Sequence, residues 1–151
     1  MTKGHVTHFV FLRCFRREKS PYILTGTHMT LNLQLFGTKK CKETRAAERF
    51  FRERGVAPHV IDLAQKGMSS GELRNVAARV GGFEALIDRE GKRYVEKGLK
   101  YAAPTGPRIE QILIADPLLL RTPIARASSR ATVGYAPDVW QTWIDEAKTA
   151  R

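Results

Sequence analysis

The sequence predicts one α/β domain whose elements follow in the order β-α-β, helical insert, β-β-α. A strand, a helix and a second strand are patterned within residues 31–63, and two short strands followed by a helix are patterned after residue 121. The 151 residues, of which 42% are hydrophobic, suffice for one hydrophobic core. We therefore expect a mixed four-stranded sheet covered by helices.

The first unit is a strand, a helix and a strand. Residues 31–36 alternate apolar and polar side chains as a strand does, and Gly37 ends the alternation. Residues 42–54 are predicted to be a helix closed by Gly55, and residues 60–63 a second strand. The apolar stripe of this helix is Ala46, Ala47, Phe50 and Phe51. A helix that connects two strands returns the chain in the same direction, so the strands are predicted to be parallel.

The middle of the chain, about residues 66–118, is a helical insert. Ser69 and Glu72 have the spacing of a capping box at the start of its first helix, and Gly81-Gly82 ends that helix. Glycine and proline separate the remaining helical turns, which are predicted at residues 83–87, 94–99 and 108–114.

The C-terminal part is predicted to be a hairpin and a helix. Residues 122–126 and 132–135 are the strand candidates, with a turn around Ser128-Ser129. Pro137 opens the last helix. Its apolar stripe is predicted to comprise Val139, Trp140, Trp143, Ile144 and Ala147.

The charge balance is the one unusual feature of the composition. The chain has 26 Lys and Arg against 15 Asp and Glu, a formal net charge of +11. Acidic residues are interleaved with the basic ones, which is typical of a solvated surface, so we expect no specific nucleic-acid partner. No apolar run approaches the roughly 20 residues of a membrane-spanning helix, so no membrane partner is expected either.

The first 28 residues differ from the rest. Residues 1–28 have no sustained strand or helix period, and Met29 stands just before the first patterned strand. We interpret residues 1–28 as an unstructured extension or the product of an upstream start codon, and residues 29–151 as the domain. Cys14 and Cys41 are too few for a disulfide scaffold and lack zinc-ligand spacing, which predicts a reducing, cytoplasmic environment and no bound metal.

Cys41 is the candidate nucleophile. It follows a strand and begins a helix, where unpaired backbone N–H groups and the positive end of the helix dipole favour a thiolate. Thr44, three residues on, is placed to donate a hydrogen bond to the sulfur. The surrounding cations, which also lower a thiol pKa, are Lys39, Lys40, Lys42 and Arg45. The alternative is a buried structural cysteine.

The helix carries no Cys-x-x-Cys pair, because position 44 is Thr. An oxidised Cys41 therefore needs a resolving thiol from elsewhere. Cys14 could supply it if the N-terminal segment folds back, and glutathione or a glutaredoxin could supply it in trans. We expect the external thiol.

Three segments together resemble the arsenate reductase (ArsC)/Spx family, a branch of the thioredoxin-like fold with a helical insert. They are GTKKCKETR at residues 37–45, DPLLLRTPI at residues 116–124, and Gly134-Tyr135 before the last helix. The resemblance implies a thioredoxin-like sheet and a catalytic thiol at Cys41. It also implies that Thr44 and Arg45 stabilise the thiolate or an anion, and that a cis peptide bond before Pro123 shapes the site.

The sequence departs from the family at the arginines that hold the oxyanion in arsenate-reducing members. The ungapped alignment places Asp88, Thr122 and Tyr135 at those positions, and none is basic. Nearby arginines that could contact an anion instead are Arg89 and Arg121, with Arg93 and Arg126 also close in sequence. The resemblance thus leaves the substrate open.

The expected function is an arsenate reductase-like thiol oxidoreductase that uses Cys41. The resemblance implies no bound cofactor, glutathione as a co-substrate, and glutathione or glutaredoxin as the resolving partner. We expect a cytoplasmic monomer. The alternative is a non-enzymatic, Spx-like regulator that binds another protein.

Overall fold

The computed structural model of the protein describes residues 31–150 and confirms the predicted α/β order. The interpretation of residues 1–28, the domain start at residue 29 and the role considered for Cys14 lie outside the described residues. Within residues 31–150, no helix is long and apolar enough to cross a bilayer.

The sheet has four strands in the order β2-β1-β3-β4. They are β1 (Leu33–Gly37), β2 (His59–Asp62), β3 (Ile124–Ala127) and β4 (Arg130–Val133). β1 pairs in parallel with β2 and antiparallel with β3, and β3 pairs antiparallel with β4. The predicted mixed sheet is therefore confirmed.

Six α-helices and two 3₁₀ turns complete the described part of the chain. The helices are α1 (Lys42–Glu53), α2 (Ser70–Val80), α3 (Lys92–Glu96), α4 (Leu99–Ala102), α5 (Gly106–Ala115) and α6 (Pro137–Thr149). The 3₁₀ turns span Phe83–Ala85 and Pro117–Leu119. The elements between β2 and β3 form the helical insert.

The capping box predicted for α2 is present. Ser69 Oγ accepts a hydrogen bond from the Glu72 N–H at 3.3 Å, and Glu72 Oε2 accepts one from the Ser69 N–H at 3.0 Å. Two donors at the helix start are thereby satisfied. Gly81 ends α2 with φ +96°, a left-handed conformation that favours glycine.

The central strand β1 divides the core into two parts because successive side chains point to opposite faces of the sheet. Leu35 packs with the apolar faces of α1 and α6, where Trp140 is fully buried. Phe36 packs with the helices of the insert on the other face. The predicted stripe of α6 is wrong at Val139, which is 43% exposed because it lies to the side of the face that carries Trp140.

The pairing of β1 with β3 also brings together two turns that are distant in sequence. Phe36, at the end of β1, pairs with Ile124, at the start of β3. The turn that follows β1 and the turn that precedes β3 therefore lie at the same edge of the sheet. Cys41 is in the first turn and Thr122 is in the second.

Candidate active site

Cys41 lies at the N-cap of α1 and is held there by backbone hydrogen bonds. Its N–H donates to the Thr38 carbonyl at 3.0 Å, and its carbonyl accepts from the Arg45 N–H at 3.2 Å. The side chain is half-buried at a cleft of about 540 Å³. The charged and polar residues that line this cleft with Cys41 are Glu43, Glu84, Asp88, Arg89, Glu90, Arg121 and Thr122.

Thr122 contacts the thiol directly. Its Oγ1 donates a hydrogen bond to Cys41 Sγ at 3.4 Å, across 81 positions of sequence. The Thr122–Pro123 peptide bond is cis, as the family resemblance implies, and Pro123 is buried. The contact between Thr122 and Cys41 was not predicted from the sequence. The available signal was its place directly before Pro123.

Thr44 lies beneath the same turn. It is only 2% exposed, and its Oγ1 makes no regular hydrogen bond with any residue from 31 to 150. A Cβ atom at Gly37 would lie 2.3 Å from that hydroxyl, so only glycine leaves room for Thr44 here. The end of β1 thus packs directly against the Thr44 hydroxyl.

The pKa of the Cys41 thiol lies below its usual value. Burial raises the pKa, and the hydrogen bond from the Thr122 hydroxyl outweighs it together with weaker polar interactions from the Thr44 hydroxyl and the backbone N–H groups of Thr44 and Glu43. No N–H of α1 reaches regular capping geometry at the side chain of Cys41, so these N–H groups act as weak, long-range donors. The thiolate is therefore stabilised mainly by neutral donors.

The cations of this turn have a smaller part than the sequence suggested. Lys39, Lys40, Lys42 and Arg45 are all exposed, and none is among the main groups that lower the pKa of Cys41. Arg45 does not line the cleft and makes no ion pair with residues 31–150. Exposed charges are screened by water, whereas the Thr122 hydroxyl touches the sulfur.

The other arginines proposed from sequence differ in what they contact. Arg89 lies 3.9 Å from Glu84, which also lines the cleft, and Arg121 lines the cleft in an exposed position. Arg93 and Arg126 are engaged elsewhere, Arg93 with Asp116 and Arg126 with Gln34. Only Arg89 and Arg121 therefore remain beside the thiol.

The three non-basic residues at the family's arginine positions each contact other parts of the protein. Asp88 Oδ1 accepts hydrogen bonds from the N–H groups of Glu90 and Gly91, at 3.2 and 3.1 Å. Tyr135 packs edge-on against Trp140, with ring centroids 5.3 Å apart. Thr122 binds the thiol, as described above.

Among residues 31–150, no group of three or more His, Cys, Asp and Glu side chains is arranged to hold a metal ion.

Comparison with known proteins identifies related chains. The model of the ArsC family matches residues 36–143. The arsenate reductase of Neisseria meningitidis serogroup B is 26% identical over 104 residues, which cover 68% of this chain and 89% of that protein. The global transcriptional regulator Spx 2 of Oceanobacillus iheyensis is 26% identical over 111 residues, covering 73% of this chain and 80% of the regulator.

A solved structure establishes the fold. The arsenate reductase from Vibrio cholerae superposes with a TM-score of 0.66 at 20% identity, covering 74% of this chain and 97% of that one. The four-stranded sheet with its helices is thus a thioredoxin-like fold.

Proposed function

This chain belongs to the ArsC family, and we propose that it is a thiol oxidoreductase in which Cys41 is the only catalytic cysteine and an external thiol resolves it. The observation that carries the proposal is the Thr122 Oγ1 to Cys41 Sγ contact at 3.4 Å beside an open cleft. A hydroxyl that donates to the sulfur favours the thiolate over the thiol, and the open cleft lets a substrate reach it.

The first chemical step is attack on a disulfide. The Cys41 thiolate attacks one sulfur of the substrate, the Cys41–sulfur bond forms, and the substrate's own S–S bond breaks. The departing thiolate takes up a proton from solvent. One half of the substrate is released as a thiol, and the other half stays bound to Cys41 as a mixed disulfide.

The second step regenerates Cys41. Glutathione, or the thiol of a glutaredoxin, attacks the substrate-derived sulfur of the mixed disulfide; a new disulfide forms between these two sulfurs, and the Cys41 thiolate leaves. A second glutathione reduces that disulfide, which releases the second substrate thiol and leaves the oxidised disulfide of the two resolving thiols. Thr122 stabilises the Cys41 thiolate as a leaving group with the hydrogen bond that stabilises it as a nucleophile. Because Thr44 stands where a second cysteine would be, this step depends on the external thiol. We place the reaction in the reducing cytoplasm, with the protein acting as a monomer.

Arsenate is the less favoured substrate. A tetrahedral oxyanion is held by several converging cationic donors. Here Asp88 accepts hydrogen bonds from its own loop, and Thr122 donates one to the thiol. Two arginines, Arg89 and Arg121, line the cleft together with four carboxylates: Glu43, Glu84, Asp88 and Glu90.

The test is glutathione-dependent turnover by the full chain. We would assay hydroxyethyl disulfide and arsenate separately, with and without glutaredoxin, for the parent, Cys41→Ser and Cys14→Ser. We expect the parent and Cys14→Ser to reduce the disulfide, and Cys41→Ser to match the uncatalysed rate. Equal rates for the parent and Cys41→Ser would refute the proposal. Loss of turnover in Cys14→Ser would instead make Cys14 the resolving thiol.

A second candidate function is partner binding without turnover. The similarity to the regulator Spx 2 favours it, at the same 26% identity as the arsenate reductase of Neisseria meningitidis. Under this alternative, Cys41→Ser would leave binding to a protein partner intact, and no thiol substrate would be turned over.

A further inference from the structure

Arg121 differs from the other arginines around the cleft. It makes no ion pair with any residue from 31 to 150, although its side chain lines the cleft next to Cys41. The arginines with partners are Arg89 with Glu84, Arg93 with Asp116 and Arg126 with Gln34. A guanidinium left without a partner beside a nucleophile is available to a ligand.

The backbone of Arg121 is fixed on both sides. Its N–H donates to the Leu86 carbonyl at 2.7 Å, and the preceding Leu120 forms a bridge with Ile87. The following residue, Thr122, holds the thiol. Arg121 is therefore anchored one residue from the group that contacts Cys41.

The side chain of Arg121 passes close to Gly134. A Cβ atom at Gly134 would lie 3.8 Å from Arg121 Nε, and Gly134 itself has φ +81°. The Nε of Arg121 therefore lies within van der Waals range of the Gly134 position.

The carboxylates of the cleft differ in how far they are engaged. Asp88 is held by loop N–H groups, and Glu84 faces Arg89. Glu43 and Glu90 line the cleft with no ion pair among residues 31–150. One free guanidinium and two free carboxylates suit a ligand that carries both a carboxylate and an ammonium group. They do not suit a compact oxyanion such as arsenate, which presents negative charge on every side.

We propose that Arg121 is the carboxylate-binding residue of this cleft, and that it selects amino-acid or peptide disulfides with a carboxylate near the reacting sulfur over neutral disulfides. The inference rests on the proposed function, because Cys41 is the atom that reacts. Arg121 presents a planar fork of donors that binds a carboxylate through two parallel hydrogen bonds. A cleft of about 540 Å³ lies within the roughly 300–1,000 Å³ range of ligand pockets.

The experiment measures the first chemical step alone. In the full chain with Cys14→Ser, we would determine the second-order rate constant for mixed-disulfide formation at Cys41 by mass spectrometry. The probes are oxidised glutathione, which carries carboxylates, and hydroxyethyl disulfide, which is neutral. The variants are Arg121→Gln, Arg121→Lys, Arg89→Gln and Arg108→Gln. Arg108 is an exposed arginine on α5, outside the cleft, and controls for net charge.

We expect Arg121→Gln to slow the reaction with oxidised glutathione about tenfold, the equivalent of about 1.4 kcal/mol. The reaction with hydroxyethyl disulfide should change less than about twofold, and Arg108→Gln should leave both rate constants within about twofold, because an exposed distant charge is screened. Arg121→Lys should fall between the parent and Arg121→Gln, because it keeps the charge without the fork. Arg89→Gln should have a smaller effect than Arg121→Gln, because Glu84 already pairs with Arg89.

Three results would overturn the proposal. An unchanged rate with oxidised glutathione in Arg121→Gln would mean that Arg121 does not bind a carboxylate. Equal slowing of both probes by Arg121→Gln would mean that Arg121 acts on the thiol and not on a carboxylate. An effect of Arg89→Gln or Arg108→Gln as large as that of Arg121→Gln would mean that the position of Arg121 is not special. Failure of the proposed function gives a different result from failure of this proposal. In that case Cys41 still forms mixed disulfides with the probes, but the chain shows no glutathione-dependent turnover.

Discussion

The Cys41 turn and the Asp116 cluster of the insert each hold an acidic group below its usual pKa, by different means. Burial raises the pKa of Asp116, and hydrogen bonds from Lys97, Arg93 and the Leu118 N–H outweigh it. Arg93 Nη1 reaches the two carboxylate oxygens at 2.9 and 2.7 Å, and Lys97 Nζ lies 2.8 Å from one of them. Asp116 is only 8% exposed.

Cys41 has no such counter-ion among its main stabilising contacts. Neutral hydroxyls and backbone N–H groups lower its pKa, and its side chain borders an open cleft. Arg93 and Lys97 neutralise the charge of the Asp116 carboxylate and occupy its oxygens. These contacts connect α3 to the end of α5. The Cys41 sulfur has no cation bound to it among these contacts and stays open to a substrate. In this protein, the lowered pKa of Cys41 belongs to an accessible group and that of Asp116 to an occupied one, so only Cys41 is a candidate for reaction.

The largest expected difference between the two regions is in their contribution to the free energy of unfolding. Replacing Asp116 with Ala removes the shared acceptor of two cations, and we expect the free energy of unfolding to fall by about 1–3 kcal/mol. Arg93 and Lys97 are about half-exposed, 49% and 47%, and can rehydrate, which limits the loss. Asp145→Ala, in an exposed pair with Lys148, should lower it by less than about 1 kcal/mol.

Urea unfolding of the parent and the two variants measures these differences. The thiol should be unaffected by Asp116→Ala in the folded state, because Asp116 does not line the cleft. A change in Cys41 reactivity as large as the change in stability would show that the two regions are coupled.

The pH dependence of stability should separate the regions further. The pKa of Asp116 is lowered in the folded state, so its contribution is complete above the unfolded-state value of about 3.9 and is lost as pH falls through the folded-state pKa. The stability difference between the parent and Asp116→Asn should therefore shrink as pH is lowered from about 6 towards 3. A difference that stays constant across this range would contradict the assignment of the cluster. Urea unfolding at several pH values is the measurement.

A smaller effect is expected from the exposed cations beside Cys41. Arg45→Ala should raise the pKa of Cys41 less than Thr44→Ala does, because Thr44 is buried at the turn and Arg45 is solvated. The Arg45 effect should also disappear at high salt, while the Thr44 effect should persist. The pH dependence of alkylation at two ionic strengths measures both. The opposite order would restore the cations as the main stabilisers of the thiolate.

Much of the fold follows from local sequence patterns. The helix predicted at residues 42–54 is α1 (Lys42–Glu53), because its apolar stripe and Gly55 are both local signals. The hairpin strands were predicted at residues 122–126 and 132–135, and these bounds are wrong by one or two residues. Pro123 has no N–H for a strand ladder, so β3 begins at Ile124, and β4 ends at Val133 because Gly134 turns away with φ +81°.

The site was predictable only in part. Cys41 and Thr44 lie within one helical turn, so their spacing could be interpreted from sequence. The Thr122 contact depends on the pairing of β1 with β3, across 81 positions, which no local pattern reveals. Arg93 was considered as an anion contact because it is near the vacated positions in sequence, and only the packing of α3 shows that it binds Asp116.

The most direct test of the central claim is the pH profile of alkylation at Cys41 in the full chain with Cys14→Ser. We predict a midpoint below the free-cysteine value of about 8.5. Thr122→Val should raise that midpoint by removing the hydroxyl, and Thr122→Ser should keep it close to that of the parent by retaining one. A midpoint at or above the free-cysteine value in the parent, or the same midpoint in Thr122→Val, would contradict the account and leave Cys41 a packed structural thiol.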